Sequence, residues 1–75
     1  MSDTQKDATP HEAQGPGGIY LVELTEAGFR IRHGRGGNYG GGIWSSRPKA
    51  RLAADDLAAG RTIRETALAD RYTYT

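Results

Sequence analysis

The chain has 75 residues, no cysteine and a formal net charge of +1, which leaves room for one small domain and excludes disulfides and cysteine-based zinc sites. No apolar run approaches the roughly 18 residues of a membrane span, and residues 1–18 hold Asp3, Asp7 and Glu12 without the apolar stretch of a signal peptide. A soluble, cytoplasmic protein is expected, of modest stability because a chain this short buries only about 60% of its unfolded surface.

Residues 1–18 (MSDTQKDATPHEAQGPGG) are polar and contain Pro10 and Pro16. They offer too little apolar area to offset the entropy of ordering, so a disordered tail is expected, in which His11 has no role. A single compact domain is expected over residues 19–75. Residues 19–24 (IYLVEL) read as a strand, and residues 29–33 (FRIRH) alternate with a period of two, as a half-buried antiparallel strand does. Between them Thr25-Glu26-Ala27-Gly28 suits a hairpin loop, with Gly28 taking a positive φ. Residues 34–42 hold six glycines in nine positions, a loop that is mobile or fixed by close backbone approach. Tyr39, Ile43 and Trp44 follow as a third, edge strand. Residues 47–59 (RPKARLAADDLAA) carry Ala50, Ala53, Ala54, Leu57 and Ala58 at helical spacing, with Ser45 or Ser46 as cap, Pro48 in the first turn and Gly60 as terminator. Residues 62–75 divide between two readings. Thr62 and Glu65 have capping-box spacing, which favours a second short helix, whereas Tyr72 and Tyr74 favour an extended end. The expected fold is α+β: a small antiparallel β-hairpin or three-stranded sheet packed against one or two short helices. Its core is expected from Ile19, Leu21, Val22, Leu24, Phe29, Ile31, Ile43, Trp44, Leu52, Leu57, Ile63 and Leu68.

The charge is unevenly spread. No Asp or Glu occurs between Ala27 and Ala54, where Arg30, Arg32, Arg35, Arg47, Lys49 and Arg51 stand. Arg47, Lys49 and Arg51 join the positive end of a helix dipole, an anion-docking arrangement that also opposes the macrodipole, since Asp55 and Asp56 follow near its negative end. Arg51 and Asp55 have i, i+4 spacing, which partly offsets the mismatch. With Arg30 and Arg32 on one strand face and Arg35 on the loop, these cations are expected to form one basic surface, flanked by Tyr39 and Trp44 as aromatic contacts. Chemistry of other kinds finds less support. His33 with Ser45, Ser46, Asp55 and Asp56 forms no recognisable catalytic motif, and the glycine run lacks both the GxGxxG and the Walker pattern. No enzyme activity, cofactor or metal site is expected.

Arg35-Gly36-Gly37 followed by Asn38-Tyr39-Gly40 resembles one copy of the arginine-glycine-glycine boxes of RNA-binding proteins. More broadly, residues 19–75 resemble the small phage-encoded anti-CRISPR proteins in size, lack of cysteine and hairpin-plus-helix organisation, without a shared motif. That resemblance implies docking in a host cell's cytoplasm on a type I CRISPR surveillance complex, blocking its DNA binding or nuclease recruitment. Two further readings stand beside this protein-binding one. One is a nucleic-acid-binding module that uses the basic glycine-rich loop and the helix N-terminus; the other is a small homodimeric assembly protein.

Overall fold

The computed structural model describes residues 11–34 and 36–72. Three antiparallel strands, β1 (His11–Gly15), β2 (Gly18–Thr25) and β3 (Gly28–His33), form a sheet in the order β1-β2-β3. The helix α1 (Arg47–Ala58) covers one face of it, and β4 (Gly42–Ile43) pairs with β5 (Arg71–Tyr72) in a second, two-stranded sheet. The result is the small α+β fold that the periodicities predict.

The β2–β3 hairpin follows from alternation. Its register sets Tyr20 opposite His33, Val22 opposite Ile31 and Leu24 opposite Phe29, all on the helix side. Glu23 opposite Arg30 and Leu21 opposite Arg32 lie on the other side. Gly28 has φ +131°, and a Cβ there would stand 2.9 Å from the Trp44 carbonyl oxygen, so both conformation and space demand glycine.

The expectation of a disordered tail through residue 18 is corrected for residues 11–18; residues 1–10 lie outside the described part. His11–Gly15 pairs along its whole length with β2, and Ala13 is buried under the helix. Two small contacts bring this about. Pro16 and Gly17 close a tight turn, and the Gly17 N–H donates to the Ala58 carbonyl at 2.7 Å, satisfying one of the open acceptors of the helix C-terminus. Any side chain at Gly17 would meet the Leu57 carbonyl oxygen at 2.2 Å. Polarity concealed this strand because its buried face is a single alanine.

The helix begins after Ser46, which occupies the N-cap position without a side-chain hydrogen bond, and carries Pro48 in its first turn. It ends in a Schellman arrangement, with the Gly60 N–H on the Leu57 carbonyl, the Arg61 N–H on the Asp56 carbonyl and Gly60 at φ +80°. Ala50, Ala53, Ala54 and Ala58 are buried against Val22 and Ile31, so small side chains bring helix and sheet close together. Trp44 and Ile43 supply most of the remaining bulk. Two expected core residues are instead exposed, Leu24 at 66% and Leu68 at 43%.

The third edge strand is present in modified form. Tyr39 and Trp44 each bridge singly to β3, opposite Arg32 and Phe29, while Ile43 belongs to β4 and faces β5. The second helix does not form. Residues 61–72 are irregular apart from one 3-10 turn at Glu65–Ala67 and the short β5, where alone the extended reading holds. A helix would need its carbonyls for its own N–H groups, but the Ala67 carbonyl accepts from the Trp44 indole N–H at 2.8 Å, and the Arg64 N–H is drawn to Asp56 at 3.1 Å. Thr62 caps nothing; the turn starts after Arg64.

Candidate functional site

The fold separates the cations that the sequence groups together. Arg30 and Arg32 extend from the sheet face opposite α1, whereas Arg47, Lys49 and Arg51 stand on the helix that covers the other face. Arg35 lies outside the described residues. The single converged basic surface is therefore not formed by the residues described.

On the open sheet face the charges are largely internal. Arg32 pairs with Glu23 at 3.0 Å and donates to the Tyr39 hydroxyl and the Gly37 carbonyl. The Tyr39 hydroxyl donates in turn to Glu23. Hydrogen bonds from Arg32 and then Tyr39 hold the Glu23 carboxyl below the usual range, and Glu23 raises Arg32 reciprocally. The Arg30 and Arg32 guanidinium groups lie 4.8 and 4.5 Å from the Tyr39 ring centre, within cation–π range. Tyr39, the first of the two expected aromatic contacts, is thus engaged by the protein's own arginines. Trp44, the second aromatic candidate, is 4% exposed and belongs to the core.

The helix start does collect an anion, but from within the chain. Asp70 accepts from the Ser45 backbone N–H at 2.8 Å, from the Ser45 hydroxyl at 3.0 Å and from the Lys49 ammonium at 3.2 Å. The Ser45 backbone bond, then Lys49, then the Ser45 hydroxyl keep its carboxyl below the ordinary value. Asp56 makes the corresponding contact at the other end of the helix. It is 2% exposed and accepts from Arg64 through the backbone N–H, Nε and Nη2, and from Arg61 Nη2. Arg64 first, then Arg61, depress it far below the carboxylate range. Asp55 pairs not with Arg51 but with His11, at 3.1 Å.

These partnerships also dissolve the catalytic constellation. Ser45 and Asp56 are committed elsewhere, and His33 stacks on Tyr20 with ring centres 4.7 Å apart, as a rim residue of the core face. Among the described residues no group of three His, Asp or Glu side chains is placed to hold a metal ion.

An exposed apolar side chain and arginines without a carboxylate partner come together at the turn end of the β2–β3 hairpin. Leu24 stands exposed beside its cross-strand partner Phe29. The Arg47 guanidinium lies 4.9 Å over the Phe29 ring, with Arg51 one helical turn further on, and Arg71 Nη2 donates to the Ala27 carbonyl at 3.0 Å. Among the described residues none of these three arginines pairs with a carboxylate. Glu26 is the acidic residue of the turn itself. Leu24 was read as core because its strand pattern is apolar; Arg71 was missed because it lies 44 positions from its partner.

No helix among the described residues is long and apolar enough to cross a membrane. Compared with known proteins, the chain finds no significant match to a family model, a curated protein or a solved structure.

Proposed function

We propose that the chain is a small non-catalytic binding protein that docks on an acidic protein surface through the turn end of the β2–β3 hairpin. The observation that carries this reading is an exposed leucine beside a half-buried phenylalanine, with unpaired arginines around them. Interfaces concentrate binding energy in such apolar anchors and enrich arginine, whose planar fork meets carboxylates bidentately. Arg47 is already held over Phe29 and Arg71 on Ala27, so less side-chain entropy is lost on docking than for free arginines. The resemblance to phage anti-CRISPR inhibitors gives the partner a class: a host type I CRISPR surveillance complex, whose target-DNA binding or nuclease recruitment the docked chain would block.

The test mixes the purified chain with a panel of type I surveillance complexes and follows co-elution, target-DNA retention and nuclease recruitment. The chain is expected to co-elute with one complex and to suppress one of the two activities. The double variant Leu24→Asp/Arg47→Glu is expected to keep its melting temperature and to bind at least tenfold more weakly. Failure to co-elute with any complex overturns the inhibitor assignment. Equal binding by the folded double variant removes the hairpin end from it. Mobility shift on generic DNA and RNA at low salt serves as control, with no shift expected, because Arg32 and Tyr39 are internally engaged.

A further inference from the structure

At the opposite end of the β2–β3 ladder a pocket of about 190 Å³ opens between β3, the second half of α1 and the glycine segment. Tyr20, Trp44 and Tyr72 line it together with Ile31, Leu57 and Ile63. His33 stands at the pocket with its ring parallel to that of Tyr20, the two planes 8° apart. Among the described residues no Asp, Glu, Lys or Arg lines it, so a charged guest would lose hydration without gaining a counter-charge from them.

The backbone of Gly40, Gly41 and Gly42 completes the lining, and these glycines differ in what the fold asks of them. At Gly42 a Cβ would fall 2.7 Å from the Trp44 ring, so packing excludes a side chain there. Gly40 is under no such demand. Its φ is not positive, and among the described residues a Cβ would meet only the Ile31 carbonyl oxygen, at 3.8 Å. Its peptide is nevertheless fixed from both sides, with its N–H on the Ile31 carbonyl at 2.9 Å and its own carbonyl accepting from Arg30 at 3.0 Å. The pocket thus has a bare, pinned peptide where the protein itself has no use for glycine. Glycine beside a strand can mark a bend or close approach by another backbone or a ligand, and at Gly40 the pocket leaves that space open.

Size narrows the guest. An apolar cavity of about 150 Å³ admits benzene, while cofactor- and drug-sized sites begin near 300 Å³. We infer that this pocket binds one neutral, planar aromatic ring system, of phenol to indole size, against the Gly40 peptide and the Tyr20–His33 stack. The aromatic side chains of the lining and a side-chain-free backbone favour a flat guest over a branched aliphatic one of equal volume. The ring belongs either to a free small molecule or to an aromatic side chain of a protein. The site shares no residue with the docking end described above, although Tyr72 follows Arg71 and Trp44 bridges Phe29, and it does not depend on that reading.

Nitrogen-15 labelled chain titrated with indole, with N-acetyl-tryptophanamide and with cyclohexanol tests this directly. Both aromatic probes are expected to give saturable shifts at the Gly40 amide and the Trp44 indole N–H, with cyclohexanol at least tenfold weaker. Tighter binding of the amide assigns the ring to a protein side chain, and tighter binding of indole assigns it to a small molecule; each supports the site. Gly40→Leu is expected to melt with the parent and to lose at least tenfold in probe affinity. The absence of saturable shifts with either aromatic probe overturns the inference, as does cyclohexanol binding equally well or unchanged affinity in folded Gly40→Leu. The wild-type titration decides even if that variant does not fold. Leu24→Asp/Arg47→Glu is expected to bind the probes as the parent does, so a failed docking surface and a failed pocket are told apart.

Discussion

Asp56 shows how far one side chain can organise a chain that lacks bulk. Its carboxylate is buried and receives four donors from Arg61 and Arg64, which ties residues 61–64 to the helix. Its folded-state pKa lies below the unfolded value, so the unfolded chain binds more protons in the acid range. The stabilisation is present above the ordinary Asp value near pH 4 and is lost as pH falls toward the folded value. The melting temperature of the parent is therefore expected to fall as pH drops below about 4. Asp56→Asn is expected to melt lower at pH 7 and to show a shallower acid dependence; parallel pH profiles for the two proteins would show that the carboxylate is not the acid-sensitive group. Trp44 makes the other large single contribution. It is buried and hydrogen-bonded to Ala67, so Trp44→Ala is expected to cost about 3–5 kcal/mol. That is comparable with the whole stability of many small domains, about 5–15 kcal/mol, and denaturant melts would register it as loss of the cooperative transition. Ile31→Ala, at the centre of β3, is expected to cost about 2–5 kcal/mol by the same measurement.

Elements on this scale are held by close backbone approach as much as by apolar side chains. The alanine face of α1 buries little area per residue but lets Gly17 reach the helix end. Gly17→Val is accordingly expected to destabilise by at least the ~1–3 kcal/mol usual for overpacking, since its side chain meets backbone that has nowhere to shift. Ala13→Asp tests β1 more directly. An unpaired carboxylate under the helix is expected to lower the melting temperature markedly, and an unchanged melt would mean that β1 is no part of the cooperative unit. The strands β2 and β3 and the helix were legible because period-two alternation, the alanine spacing and Gly60 all act within a few residues. The strand β1 was not, because one buried alanine gives no periodic signal. Residues 62–75 left helix and extended readings open for the converse reason: the Thr62–Glu65 spacing is a real local preference that the Asp56 and Trp44 contacts override.

Over the whole molecule, folding neutralises the polarised charge of the sequence in part: Arg32 and Lys49 find carboxylates, whereas Arg30, Arg47 and Arg51 pair with none among the described residues. The helix that opposes its own macrodipole receives Asp70 at its N-terminal end and the Arg61 and Arg64 guanidinium groups near its C-terminal end, which reverses the mismatch from outside. Arg32 is drawn to Glu23 in the same way. The candidate surface is accordingly what pairing leaves over, Leu24 and Phe29 with Arg47, Arg51 and Arg71, rather than the run of cations visible in the chain. The hairpin, the helix with its terminating glycine and hence the α+β class could be read from the chain alone, because each depends on neighbours within a turn or two. Which charges pair, that Leu24 is surface and not core, and that a pocket faces the glycine segment emerged with the three-dimensional packing. Those outcomes rest on contacts between residues up to 44 positions apart, whose energies depend on where the backbone brings them and not on the order in which they occur.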